Sequence, residues 1–226
     1  MKPVGVLGGM GPEATILLMQ KVLAAVPARD DADHIPLIVH QNPQVPSRIK
    51  ALIDGDGTDP GPVLADMARG LERAGAQALA MPCNTAHHYA PVVERTSDLP
   101  FLNMLELTAA HLERVGAVRV GIMASPATRV VGVFDAAFAR HGLSMVSPVD
   151  EAALLNIIRA VKSGEDLTPL RPQLHQIAVG LNEAGADHLL VACTELSLMT
   201  DALPDGIGRT DSLDCLVAEI VAFSTR

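Results

Sequence analysis

Two cysteines, Cys83 and Cys193, carry the first chemical signal in the chain. Each ends an apolar run and precedes two hydrogen-bonding residues, in "LAMPCNTAHH" (79–88) and "LLVACTELS" (189–197). One cysteine in such a place reads as a small buried hydrophobe. The surroundings, however, repeat. "LERAGAQALAMPCNT" (71–85) aligns with "LNEAGADHLLVACTE" (181–195) at a constant offset of 110 residues. Two thiols at matching positions of a repeat, each where a strand gives way to a helix, point to chemistry. Backbone N–H groups at such a junction stabilise a thiolate and lower its pKa from about 8.5, and they hold a carboxylate equally well. A nucleophile pairs with a base rather than with a copy of itself. Two opposed thiols suit another task, taking a proton from one face of a carbon and returning one to the other. That is racemisation or epimerisation. It needs neither a metal nor pyridoxal phosphate, and no lysine sits in a motif suggesting a Schiff base.

Elements that could position these thiols are legible in the hydropathy pattern. Mostly apolar runs at 3–8, 36–40, 76–82, 118–124, 143–148 and 187–192 read as strands covered on both faces. Between them, Leu64, Met67 and Leu71, and again Leu170, Leu174, Ile177 and Leu181, keep helical spacing. A second match, "VGVLGGMGPEAT" (4–15) with "VGIMASPAT" (120–128), stands in the same order as the first. The expected fold is α/β, with two pseudo-symmetric Rossmann-like domains, mainly parallel sheets and an active site in the cleft between them. Residues 1–104 form the first domain with Cys83 and 105–212 the second with Cys193. The C-terminal helix, 213–226, packs back on the first.

Composition narrows the function further. The chain of 226 residues carries a formal charge of −9 and only 2% aromatic residues, which argues against a phosphate-backbone partner or base-stacking platforms. No apolar stretch approaches a membrane span. Three cysteines without a CxxC pair fit a reducing cytoplasm.

"GGMGPEAT", "NPQVPSR", "MPCNTAH" and "ACTELS" together resemble the signature segments of the aspartate/glutamate racemase superfamily, in its aspartate racemase branch. The similarity runs in order across almost the whole chain. It implies two pseudo-symmetric α/β domains, a cofactor-independent two-base mechanism and a homodimer. By this resemblance Cys83 and Cys193 are the catalytic pair. Asn84, Thr85 and Thr194 hold the substrate α-carboxylate and amino group, and Thr128 contacts a carboxylate. Arg48 and Lys162 serve the side-chain carboxylate, while Met10 and Gly11 close one side of the pocket. Glutamate racemases tend to carry a DSGxGG-like first loop and a CTH second motif, where this chain has "GGMGP" and "CTE". Gln41 and Ser125 depart from the aspartate pattern.

The remaining candidates have plainer readings. "GGMGP" lacks the GxGxxG spacing of a dinucleotide loop, and Pro12 suits a first helical position. His87 and His88 follow Cys83 closely but supply too few metal ligands, so packing or solvation is expected. Cys215 is read as structural. Glu195 has three open roles: orienting Cys193, accepting its proton, or favouring a helix N-terminus. Rival functions are a broad-specificity or glutamate racemase, a hydantoin- or maleate-type isomerase, and a two-lobed amino-acid-binding protein.

Overall fold

Strand–helix alternation resolves into two four-stranded parallel sheets in the computed structural model, which describes residues 1–226, the side chain of Asp54 excepted. The first half runs β1 (Val4–Gly8), α1 (Pro12–Ala24), β2 (Leu37–Gln41), α2 (Gly61–Arg73), β3 (Ala78–Ala80), α3 (Ala90–Thr96), β4 (Phe101–Leu102) and α4 (Met104–Arg114). The second runs β5 (Arg119–Met123), α5 (Pro126–Val130), α6 (Asp135–Arg140), β6 (Ser144–Val146) and α7 (Glu151–Lys162). It continues through α8 (Arg171–Glu183), β7 (His188–Val191), β8 (Gly208–Asp211) and α9 (Ser212–Thr225). Strand orders are β2-β1-β3-β4 and β6-β5-β7-β8, so the halves share one topology. Val4 pairs with Leu37 and Ala78, and Val120 with Met145 and His188.

Two glycines account for the shared local packing. A Cβ on Gly5 would stand 2.9 Å from Ala76 Cβ and 3.1 Å from Leu71 Cβ. On Gly121 it would stand 3.0 Å from Ala186 Cβ and 3.1 Å from Leu181 Cβ. The residues pressed against the two glycines are themselves 110 positions apart. Each half thus needs a bare backbone where the helix–turn–strand corner lies on its first strand.

Six of the strands fall within the apolar runs expected, give or take one residue. The two outer strands β4 and β8 do not, for physical reasons. β4 is two residues long behind Pro100, and β8 is the polar segment Gly-Arg-Thr-Asp at a sheet edge. Neither presents a run of apolar residues.

Both faces of each sheet are buried. In β1, Val4 and Val6 face α1, while Leu7 faces α2, as period-two alternation requires. In β7, Leu189 and Val191 face α7 and α8, and Leu190 faces Phe134 and Phe138. The last helix of each half then crosses to the other half. α4 follows β4 yet sends Leu105, Ala109 and Leu112 into the core around Val120 and Ile122. α9 follows β8 yet sends Leu213, Leu216, Val217 and Ile220 into the core around Val4, Val6 and Leu18. The two crossing helices also pack on one another.

This order positions the site. β1 and β3 lie side by side while the chain leaves them in opposite directions, and β5 and β7 do the same. Loops at the C-terminal ends of such strand pairs border a crevice. Among the described residues no helix is long and apolar enough to cross a membrane.

Candidate active site

A cavity of about 560 Å³ opens where those four loops meet. Gly9–Pro12 and Glu13 follow β1, Cys83–Thr85 follow β3, Ser125 follows β5 and Ala192–Glu195 follow β7; all line it, with 43–50, Ile158 and Lys162 completing the wall. Cys83 and Cys193 are each 8% exposed and unbonded to other cysteines. The structure therefore brings the two repeated thiols to one cavity.

Glycines let the loops approach. Gly9 has φ +91° and packs so close to the Asn42 backbone that a Cβ would lie 2.3 Å from its carbonyl carbon. Gly11 faces Glu195 and Lys162, and a Cβ there would stand 3.4 Å from Oε1 of the glutamate. Met10, beside it, is buried at the cavity wall.

The turn after Cys83 is held by its neighbours' side chains. His87 is buried. Its Nε2 accepts from the Met104 backbone at 3.1 Å, so Nδ1 carries the proton and donates to the Cys83 carbonyl at 2.9 Å. Burial pulls its pKa down to about 4, opposed by the Cys83 carbonyl, and the ring is neutral near pH 7. Asn84 donates from Nδ2 to Ser212 Oγ at 3.0 Å, which ties this turn to the first residue of α9. Thr85 shares hydrogen bonds with Thr128 Oγ1 at 2.8 Å and Ser125 Oγ at 3.2 Å. Thr128 accordingly lies behind Thr85 and Ser125 and is not part of the cavity wall. Ser125 stands in the wall instead.

The turn after Cys193 has a different electrostatic character. Cys193 Sγ donates to Glu195 Oε2 at 3.0 Å, and Oε1 of the same carboxylate pairs with Lys162 Nζ at the end of α7. Glu195 is 3% exposed. Burial, and then the facing carboxylate, push the Cys193 thiol well above its ordinary range, so it is protonated. Burial also opposes the charge on Lys162, but Glu195 outweighs it and holds the ammonium above its usual value. Thr194 donates to the Pro82 carbonyl at 3.2 Å and so joins the two walls directly.

Arg48 reaches the cavity from the loop after β2. Its Nη1 donates to the carbonyls of Val45 at 3.2 Å and Pro46 at 2.9 Å, which fixes the guanidinium plane. Its buried Nε has no partner, so donor capacity remains for a carboxylate. Lys50 adds a third cation to the wall. Among the described residues, no group of three His, Cys, Asp or Glu side chains could hold a metal ion.

The model of the family described as Asp/Glu/Hydantoin racemase matches residues 7–220. The chain belongs to the Asp/Glu/hydantoin racemase family. This family member is an amino-acid racemase, an isomerase. It is 24% identical over 224 residues to the broad-specificity amino-acid racemase RacX of Bacillus subtilis (strain 168), covering 97% of this chain and 96% of that one. Picrophilus torridus aspartate racemase superposes with a TM-score of 0.90 at 28% identity, covering 100% of this chain and 95% of that chain. An aspartate racemase homologue from Pyrococcus horikoshii OT3 gives 0.77 at 22% identity, covering 100% of both, and supports the fold.

Several residues of this racemase site were not legible beforehand. Lys50 in the wall and Ser212 behind Asn84 carried no motif of their own, whereas Ser125, a departure from the aspartate pattern in the sequence, stands in the wall. Ser212 lies 128 residues from its partner. The one available signal was the Asp-Ser pair before the last amphipathic segment, which reads only as a helix cap.

Proposed function

We propose that this racemase inverts aspartate without a cofactor, with Cys83 and Cys193 as opposed acid/base groups at the α-carbon. One observation carries the reading: thiols at equivalent positions of an internal repeat line a single cavity that also holds Arg48, Lys50 and Lys162. The α-proton of an amino acid is a very weak acid, so the site must stabilise charge as it leaves. Backbone donors after β3 and β7 are the groups available for this at the two strand-to-helix junctions. Arg48 selects the side-chain carboxylate, and Asn84, Thr85 and Thr194 hold the α-substituents. Met10 and Gly11 close the near side. Thr128 acts through Thr85 in this reading. Residues 1–104 and 105–212 are the two walls, with 213–226 packed on the first, and the working form is a cytoplasmic homodimer.

The test is proton NMR in D2O under reducing conditions, with L- and D-aspartate, L- and D-glutamate and chiral analysis of products. Deuterium at Cα together with inversion is the expected outcome for aspartate. Exchange without inversion defeats the two-thiol mechanism. Broad specificity is the second reading, favoured by the likeness to RacX, and equal inversion of neutral amino acids would select it.

A further inference from the structure

Lys162, Glu195 and Cys193 form a row of three groups: ammonium, carboxylate, thiol. Lys162 holds one oxygen of Glu195, and the Cys193 thiol donates to the other at 3.0 Å. Consider moving the thiol proton onto Glu195. The negative charge then leaves a carboxylate in contact with an ammonium and settles on a sulfur beyond it. In a partly desolvated site that displacement is strongly opposed by the ammonium. Whatever neutralises Lys162 removes the opposition.

The cleft leaves room for such an agent. The Lys162 side chain is 35% exposed and lines the cavity beside Cys193. Gly11 borders this approach: a Cβ there would stand 3.3 Å from Glu13 Oε2, 3.4 Å from Glu195 Oε1 and 3.8 Å from Nζ, so the bare backbone leaves space beside the ammonium that a side chain would fill. The Cys83 wall has no such device, since Thr85 occupies the place of Glu195 and carries no charge.

We infer that the distal carboxylate of an acidic substrate switches on the Cys193 wall by drawing Lys162 away from Glu195. The inference rests on the racemase reading of this same site. Glu195 then takes the thiol proton on Oε2, leaving Cys193 as a thiolate. The thiolate removes the α-hydrogen as a proton, and the bonding electron pair stays on the α-carbon. Cys83 returns a proton from its Sγ–H to the opposite face. Nothing is oxidised or reduced. A neutral amino acid leaves Lys162 on Glu195 and Cys193 protonated. Selectivity for acidic substrates is thereby exercised in kcat, beyond any gain in binding.

The experiment supplies the substrate in two pieces. Saturating D- and L-alanine are followed for α-deuteration by NMR in D2O, with formate titrated in as the missing carboxylate and chloride as the ionic-strength control. Formate should raise the saturating rate for the enantiomer served by Cys193 by about tenfold or more, equivalent to lowering the barrier by one proton-transfer decade. The KM for alanine should change less than about twofold. Glu195→Gln removes the proton acceptor and should abolish the formate response in a protein whose circular dichroism and thermal melt show that it is folded. A formate effect confined to KM, no formate effect, or a response that survives in Glu195→Gln overturns the inference. Wild-type protein inert toward aspartate overturns the racemase reading itself, which separates the two failures.

Discussion

At Cys83 the residue two positions on is Thr85, whose hydroxyl bonds to Thr128 at 2.8 Å; at Cys193 it is Glu195, whose carboxylate accepts the thiol at 3.0 Å. The backbones around them are copies, down to the glycine beneath each helix–strand corner. The charges are not. The turn after Cys83 has an uncharged neighbour tied to the opposite half through hydroxyls, and the turn after Cys193 has a half-buried ion pair. Repeated topology can thus give two thiols opposed placement, while a single difference within the repeat, Thr85 against Glu195, gives them unlike hydrogen-bond partners. A racemase needs opposed sulfurs, since at any moment one must give a proton and the other must take one.

The comparison breaks most visibly when a sulfur is removed. Cys83→Ser and Cys193→Ser should each lower racemisation about a thousandfold, within the range general acid–base groups supply. The residual behaviour should differ. Each variant keeps one thiol, so each should wash deuterium into one enantiomer of aspartate only, and the two variants should choose opposite enantiomers. Chiral chromatography with NMR of recovered substrate reads this directly. Two variants that exchange the same enantiomer would mean the sulfurs do not face opposite sides of the α-carbon.

How far this contrast could be read from the chain alone differs between fold and site. The repeat was legible because hydrophobic strands, the Ala-Gly-Ala turn and the cysteines all keep one spacing. β4 and β8 were not, since edge strands of two and four residues need no apolar run. Cys193, Glu195 and Lys162 were each identifiable as candidates. Their arrangement in a row was not, because the end of α7 meets the loop after β7 only through tertiary packing. Thr128 illustrates the converse. Its motif marked it as a pocket residue, yet packing places its hydroxyl behind Thr85.

A second difference between the halves lies at the helix caps. Asn103 caps α4 with a neutral amide, and Asp211 caps α9 with a buried carboxylate that accepts from Leu213 N and Ser197 Oγ, both at 2.9 Å. Burial and then Asp214 raise the Asp211 pKa to about 6, against the two hydrogen bonds and Lys21 of α1, whose Nζ is 4.0 Å away. A raised acid pKa means the folded state holds the proton more tightly than the unfolded chain. The contribution is therefore complete below about pH 4 and is lost as pH rises to about 6. Two pKa units correspond to about 3 kcal/mol. Asp211→Asn keeps the cap and removes the titration. Its unfolding free energy relative to wild type should accordingly rise by that order between pH 4 and 6 and level off above. A constant difference across that range would show that the carboxylate is not held out of water.

The repeat itself can be tested at Gly5 and Gly121. Alanine at either position forces a methyl to within about 3 Å of carbon atoms in the adjoining corner, and overpacking of that kind costs about 1–3 kcal/mol. Because the neighbours are equivalent, the two losses measured by urea unfolding should agree within about 1 kcal/mol. Markedly unequal losses would mean that one half relaxes where the other cannot, and that the symmetry is one of outline only.

The smallest expected effect concerns the link from Asn84 to Ser212. It ties the Cys83 turn to α9 within the buried interior, where both residues are almost fully excluded from solvent. In the first half the residue after the cap is Met104, which has no hydroxyl to offer, so the matching link from Thr194 runs to the Pro82 carbonyl instead. Ser212→Ala leaves the Asn84 amide unpaired and should destabilise the fold by about 1–2 kcal/mol. In an Asn84→Ala background the same change should do almost nothing, because the partner is already gone. Thermal melts of the four proteins give the coupling. Coupling near 1 kcal/mol would establish that the two walls are registered by separate, unlike contacts, whereas strict additivity would leave the Thr194 bond and the Thr85 hydroxyl contacts to set their spacing.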